Sequence, residues 1–108
     1  MQINWNLDEE CNYIIDLENK IFEIEEPSNR FGVMKRKKLN WSKMLPKIRE
    51  IVELQLEDNI MKIDRAKETV YMCEKHNKME GLESLQKNVV RFHNEIKLMK
   101  KFLKSEKV

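Results

Sequence analysis

LESLQKNVVRFHNEIKLMKKFL, residues 82–103, is the stretch that decides the predicted fold. Apolar residues occupy every expected position over three heptads, at alternating steps of three and four: Leu82, Leu85, Val89, Phe92, Ile96, Met99 and Leu103. Mostly Lys, Glu, Gln, Asn, Arg and His lie between them, which is the a/d pattern of a helix packed along another helix. An isolated helix of this length is marginal in water. Burying these side chains, at about 1.5–3 kcal/mol each, therefore requires a partner helix.

Residues 45–77 are the predicted partner. Asn40 or Ser42 can cap this helix, and Pro46 falls in its first turn, where a missing N–H is tolerated. Its apolar stripe consists of Ile48, Val52, Leu56, Ile60, Ile63, Ala66, Val70 and Cys73. Asn77 or Gly81 can adopt the left-handed conformation that ends a helix. A turn this short predicts an antiparallel hairpin of 45–77 and 82–104; one unbroken helix through Gly81 is the alternative, and it would have to dimerise.

A further amphipathic helix is predicted over residues 7–25, capped by Asn6 and ended by Pro27. Its apolar stripe is Leu7, Cys11, Ile14, Ile15, Ile21 and Phe22, with Glu18 falling inside it. Residues 26–41 then form a basic connecting loop, and residues 42–108 the hairpin. The predicted fold class is all-α: a single helical domain over residues 1–108, either a three-helix bundle or a helix-exchanged dimer.

Charge is strongly segregated along the chain, although the net charge is only +2. Residues 1–26 carry eight acids and one lysine, and residues 27–49 carry eight bases and no acid. Residues 50–86 carry nine acids and five bases, and residues 87–108 carry seven bases and two acids. In a hairpin the two basic blocks approach each other at the open end. Such a field attracts phosphate or an acidic protein surface.

The residues predicted to contact a protein partner or nucleic acid lie in these basic blocks: Arg30, Lys35, Arg36, Lys37, Lys38, Trp41, Lys43, Lys47, Lys97, Lys100, Lys101 and Lys104. Trp41 is included because an aromatic ring beside a basic run can stack on bases. Structural alternatives exist for all of them. Lysines near a helix C-terminus oppose the helix dipole, the acidic N-terminal segment can neutralise the basic end, and Trp41 can pack in the core.

Leu54, Met61 and Met72 form a second, weaker apolar line on the 45–77 helix. Methionine side chains adapt to irregular surfaces and recur on protein-binding faces. The line is predicted either to pack against the helix at 7–25 or to form an interface with a partner or a second copy.

Catalytic residues, a cofactor and a metal are not predicted. The sequence contains no GxxxxGK[ST], HExxH, DxDxDG or CxxC motif. In the predicted hairpin, His93 lies about 12 Å along the helix axis from Cys73, too far for a shared metal. No run of 18 apolar residues indicates a membrane span. Two cysteines, Cys11 and Cys73, in a Lys/Glu-rich chain favour free thiols and a cytoplasmic protein.

The Lys-, Asn-, Ile- and Met-rich composition resembles that of small accessory proteins of phages and mobile elements, such as nuclease inhibitors; the resemblance covers no motif. The predicted function is that of a non-enzymatic regulator or inhibitor that docks on a larger assembly through the basic open end and exposed helix faces. A complex that handles nucleic acid, such as a nuclease, is one such assembly, and the resemblance agrees with it. Two alternatives are a direct nucleic-acid-binding protein that uses the basic 30–49 and 97–104 segments, and a self-assembling structural coiled coil. The expected partner is a protein, with nucleic acid or a homodimer as the other options.

Overall fold

The computed structural model describes residues 1–6, 11–28, 32–78 and 80–106. Its elements in chain order are β1 (Gln2–Asn6), β2 (Asn12–Asp16), β3 (Ile21–Pro27), β4 (Met34–Leu39), α1 (Trp41–Lys75) and α2 (Leu82–Ser105). The protein is therefore α+β. The all-α class, with its coiled-coil and helical-hairpin description of the chain, is wrong because a four-stranded antiparallel sheet precedes the helices.

The N-terminal helix predicted over residues 7–25 does not form. Its predicted start at Leu7 lies outside the described residues, and the rest contains β2 and most of β3. The predicted connecting loop at 26–41 contains β4. Each strand pairs with the next in the order β1-β2-β3-β4. The signal for strands was present as strict apolar–polar alternation over residues 2–6 and 22–25, which has a period of two rather than 3.6.

The strand register places a row of apolar side chains across one face of the sheet. Ile3 lies opposite Ile15, Ile15 opposite Phe22, and Phe22 opposite Leu39. Ile3, Ile15 and Phe22 are at most 2% exposed. The Tyr13 ring lies on the same face, with its centroid 5.2 Å from that of Phe22. This face supplies most of the buried residues of the sheet, because alternate residues of a strand point to the same side. Ile14, on the opposite face, is also buried, at 8% exposure.

The described chain divides into two compact units, Met1–Gln55 with Glu106–Val108 and Leu56–Ser105. In the first unit, Ile48, Ile51 and Val52 of α1 are buried in addition to the apolar row of the sheet. Glu106 also belongs to this unit: its carboxylate lies 3.0 Å from Lys20 Nζ, and its backbone carbonyl accepts a hydrogen bond from Arg49.

Asp16 organises the turn between β2 and β3. Its carboxylate accepts hydrogen bonds from the backbone N–H groups of Glu18 and Asn19, both at 3.1 Å, and from the Asn19 amide at 2.8 Å. The side-chain bond from Asn19, followed by the backbone bonds, holds the Asp16 pKa below its usual value. Lys20 closes the turn in the left-handed region, at φ 54°. A short acceptor side chain of this kind favours a tight turn over a helix, and this turn interrupts the predicted helix at 7–25.

Asn40 is the N-cap of α1, immediately before its first residue, Trp41. It is one of the two caps that the sequence predicted. Its side-chain oxygen accepts a hydrogen bond from the Lys43 N–H at 3.0 Å, and its backbone carbonyl accepts one from Met44 at 3.0 Å. Pro46 lies in the second turn of α1 rather than in the first. There it provides no N–H for the carbonyl of Ser42.

The turn between α1 and α2 follows the predicted left-handed residues. Asn77 has φ 56° and Gly81 has φ 77°. The Lys78 N–H bonds to the Cys73 carbonyl at 2.8 Å and the Asn77 N–H to the Glu74 carbonyl at 3.2 Å, which is the hydrogen-bond pair of a Schellman cap. Asn77 is therefore the left-handed residue of the cap that follows Lys75 and terminates α1, while Gly81 directly precedes α2.

In the second unit, α1 and α2 run antiparallel. Asn59 of α1 is 1% exposed, and its amide donates a hydrogen bond at 3.0 Å to Glu95 of α2. Leu82, Ile96, Met99 and Phe102 are the buried residues of α2. The first three belong to the stripe identified in residues 82–103, and Phe102 does not. Met99 is fully buried.

Candidate interaction surfaces

The basic run Lys35–Lys38, predicted as part of a loop, forms the edge strand β4. All four side chains are exposed. They alternate between the two faces of the sheet because they occupy successive strand positions. Arg30 lies outside the described residues.

The acidic strand β3 lies directly beside this run. Glu23 is opposite Lys38, Glu25 opposite Arg36, and Glu26 opposite Lys35. Arg36 forms ion pairs with two of these acids: its Nη2 lies 3.1 Å from Glu25 Oε2 and its Nε 3.7 Å from Glu23 Oε2. The strong charge segregation of the sequence is thus partly cancelled by cross-strand pairing between neighbouring strands.

Pairing between β3 and β4 explains why an acidic segment and a basic segment follow each other in the sequence. Opposite charges facing each other on adjacent strands contribute about 0.2–1 kcal/mol per pair. The sequence signal was available: Glu23–Glu26 and Lys35–Lys38 flank a segment that contains Pro27 and Gly32, as the arms of a β-hairpin would. The acids that face this basic run lie on strand β3, not on the helix at 7–25 that was one alternative for neutralising the basic end.

The other predicted basic contacts are distributed over both helices. Lys43 and Lys47 lie in the first two turns of α1, where Lys47 Nζ is 3.6 Å from Glu50, and Trp41 is half-buried at the helix start. Four lysines on α2 are exposed and belong to the second unit: Lys97, Lys100, Lys101 and Lys104. The pooling of the two basic blocks at a common end stays a prediction.

The second apolar line of α1 is exposed. In the second unit, Met61 is 55% and Met72 45% exposed, and in the first unit Leu54 is 41% exposed. Met61 and Met72 are eleven residues, or about three turns, apart and so share one helix face. Asn59 and Ile63, each two residues from Met61, are buried on the opposite side. The predicted alternative for this line, packing against a helix at 7–25, is wrong because that helix does not exist.

A shallow apolar groove lies on the same unit, between α1 and α2. It has a volume of about 290 Å³ and is lined by Lys67, Val70, Gln86, Val89 and Val90. Val90 is 60% exposed, and so is Tyr71 of α1 at 61%. Val70 and Val89 belong to the two apolar stripes that the sequence pattern identified, whereas Val90 and Tyr71 lie beside those stripes and were not singled out.

A polar cluster also crosses between the two helices. Glu95 accepts the hydrogen bond from buried Asn59 on one side and lies 3.9 Å from Arg91 Nε on the other. An amide buried between helices costs stability unless it is paired, and paired it favours one alignment of the helices over others. We assign this cluster a structural role.

Within the described ranges, no group of three His, Cys, Asp or Glu side chains is arranged to hold a metal ion. In those ranges no helix is long and apolar enough to cross a membrane. The chain matches no protein-family model, no curated protein and no solved structure. Function is therefore inferred from this chain's own residues.

Proposed function

We propose that this chain is a non-enzymatic binding protein that regulates or inhibits a larger protein assembly in the cytoplasm. The observation that carries the proposal is the exposure of Met61 and Met72 on the face of α1 opposite its buried residues. Exposed methionines on a folded helix leave apolar surface in water, and their flexible side chains suit a partner's surface.

Tyr71 strengthens this assignment. It is 61% exposed next to Met72, and tyrosine is enriched among the residues that dominate binding energy at protein interfaces. The charged residues around the two methionines are of both signs, and Asp58 pairs with Lys62 at 2.9 Å. Apolar contact with a mixed polar rim, rather than a single-sign electrostatic field, is therefore the proposed mode of docking.

We expect replacement of Met72 by glutamate to abolish capture of the partner, because the charge would have to be buried at the interface. The measurement is co-purification from the native host with tagged full-length protein, followed by identification of the bound proteins. Leu98→Glu is the matched control, since Leu98 on α2 is 44% exposed against 45% for Met72. Equal capture by the wild type, Met72→Glu and Met61→Glu would contradict docking through this face.

Direct nucleic-acid binding is the second candidate, favoured by the exposure of Lys35, Lys37 and Lys38 on an edge strand. The pairing of Arg36 with Glu23 and Glu25 opposes it, because those carboxylates reduce the positive field. Both candidates are compatible with one target: a protein assembly that itself handles nucleic acid, such as a nuclease complex.

Under this second candidate, the full-length chain shifts a short duplex or single strand in a gel at low salt, and the shift weakens as salt rises. Changing Lys35, Lys37 and Lys38 together to alanine is expected to weaken the shift by about tenfold or more, since each phosphate contact releases counterions. Arg36→Ala is the comparison, because its guanidinium is already occupied by two glutamates. Absence of a shift at low salt removes this candidate and leaves the protein-docking proposal intact.

A further inference from the structure

The two edges of the sheet differ in a way that bears on assembly. β4 carries four consecutive basic residues, and charges of this kind on an edge strand oppose pairing with another strand. β1, at the other edge, is Gln2-Ile3-Asn4-Trp5-Asn6 and carries no charged residue and no proline. Natural proteins rarely leave a regular, uncharged edge strand without a partner.

The hydrogen-bond pattern shows which backbone groups of β1 face outward. The Leu17 N–H donates to the Met1 carbonyl at 3.2 Å, so residues 1 and 17 form a hydrogen-bonded pair. Such pairs alternate along an antiparallel ladder, which makes Ile3 and Trp5 the next residues bonded to β2. The backbone N–H and C=O groups of Gln2, Asn4 and Asn6 therefore point away from β2, at the open edge.

We propose that β1 pairs antiparallel with β1 of a second copy of this chain, which joins two four-stranded sheets into one of eight strands. The strand is complementary to itself about Asn4. In that register Asn4 lies opposite Asn4 of the other copy, and Gln2 lies opposite Asn6, so all of the outward-facing groups are satisfied. Ile3 lies opposite Trp5, which continues the apolar face of the sheet with an aromatic–aliphatic pair of a favourable kind.

This register explains why the occupant is a second copy rather than an unrelated strand. An antiparallel two-fold pairs residue i with residue 8 − i, and the sequence of β1 is polar, apolar, polar, apolar, polar about that centre. Amides meet amides on one face, and apolar side chains meet each other on the other. No like charges oppose each other in the strand pair, as they would if β4 paired with itself.

The first test is the mass of the wild-type chain in solution by sedimentation or light scattering. The expected value is twice 13.1 kDa. The measurement is made at about 100 µM, because the population of a dimer rises with protomer concentration. Asn4→Lys is expected to raise the dimer dissociation constant by up to about fivefold, since it places like charges opposite each other across the strand pair. Asn94→Lys, the same change on exposed α2 surface, is the control and keeps the dimer.

The two-fold axis gives a sharper result. Asn4→Lys and Asn4→Asp each dimerise more weakly than the wild type, and an equal mixture of them recovers the wild-type dissociation constant, because residue 4 is then opposite a complementary charge. Asn4→Pro removes an outward N–H that does not bond to β2, so the sheet stays folded by circular dichroism while dimerisation is lost. A monomeric wild type, a dimer dissociation constant that Asn4→Lys leaves unchanged, or a mixture that dimerises no better than either variant alone would each overturn the proposal.

Discussion

Replacing Phe22 with alanine is expected to lower the free energy of unfolding by about 3–5 kcal/mol, the usual cost of removing a buried phenylalanine. The side chain is fully buried in the apolar row of the sheet, between Ile15 and Leu39, with the Tyr13 ring 5.2 Å away. The loss combines the transfer of the removed atoms with the cavity left among these neighbours. Because a small domain has about 5–15 kcal/mol in total, the variant should be close to unfolding. Urea unfolding followed by circular dichroism measures the change.

Ile21→Ala is the control that separates a sheet from a helix. The two residues are adjacent in β3, so they point to opposite faces, and Ile21 is only partly buried. A helix at 7–25 would place both on its apolar stripe and predict losses of similar size. We expect the loss at Ile21 to be well under half of that at Phe22. Equal losses at the two positions would argue against the strand register.

The second large effect is expected at Met99, whose replacement by alanine should cost about 2–5 kcal/mol. Met99 is fully buried on α2, at a position of the stripe that the sequence identified. Leu98→Ala, one residue away and 44% exposed, should change stability by about 0.5 kcal/mol or less. This contrast tests whether the three-and-four spacing reports the buried side of the helix.

Urea midpoints of the two variants, with unchanged slopes, give the comparison directly, since the slope reports the surface exposed on unfolding. A Met99→Ala variant as stable as Leu98→Ala would mean that this face of α2 is not packed as described. A changed slope would instead indicate that the variant alters the native or the denatured state.

The helical half of the fold was accessible from the sequence because its signals are local. The spacing in residues 82–103, the Asn40 cap and the left-handed residues Asn77 and Gly81 depend on neighbours within one or two turns. Helices were predicted at 45–77 and 82–104, and they occupy Trp41–Lys75 and Leu82–Ser105. The all-α class built on them was nevertheless wrong.

The sheet was missed because a short apolar segment supports either periodicity. Ile14 with Ile15, and Ile21 with Phe22, fit a helical stripe if the interval between them is taken as helix. In the structure that interval is a turn held by Asp16. The decisive contrary signs were Glu18 inside the supposed stripe and the alternation of residues 22–25. β4 carries no apolar alternation of its own; only its pairing with acidic β3 makes it a strand.

For the candidate surfaces too, the sequence identified the residues but not their surroundings. The sequence identified Met61 and Met72 as an apolar line that either packs within the protein or binds a partner, and it identified Lys35–Lys38 as a basic run. It could not show that the methionines remain in water, since that depends on whether another element covers them. Nor could it show that Glu23 and Glu25 occupy Arg36, since these acids lie 13 and 11 residues away along the chain.

By itself, then, the sequence determined the two helices, the residues that begin and end them, and most of the buried stripe on α2. Each is encoded in hydrogen bonds and side-chain spacing that a segment of about ten residues contains. Tertiary structure alone decided that β4 is a strand, that opposite charges pair across β3 and β4, and that β1 is left as an edge. A strand satisfies its backbone groups only through another segment of chain, so the identity of a strand, unlike that of a helix, depends on its neighbour.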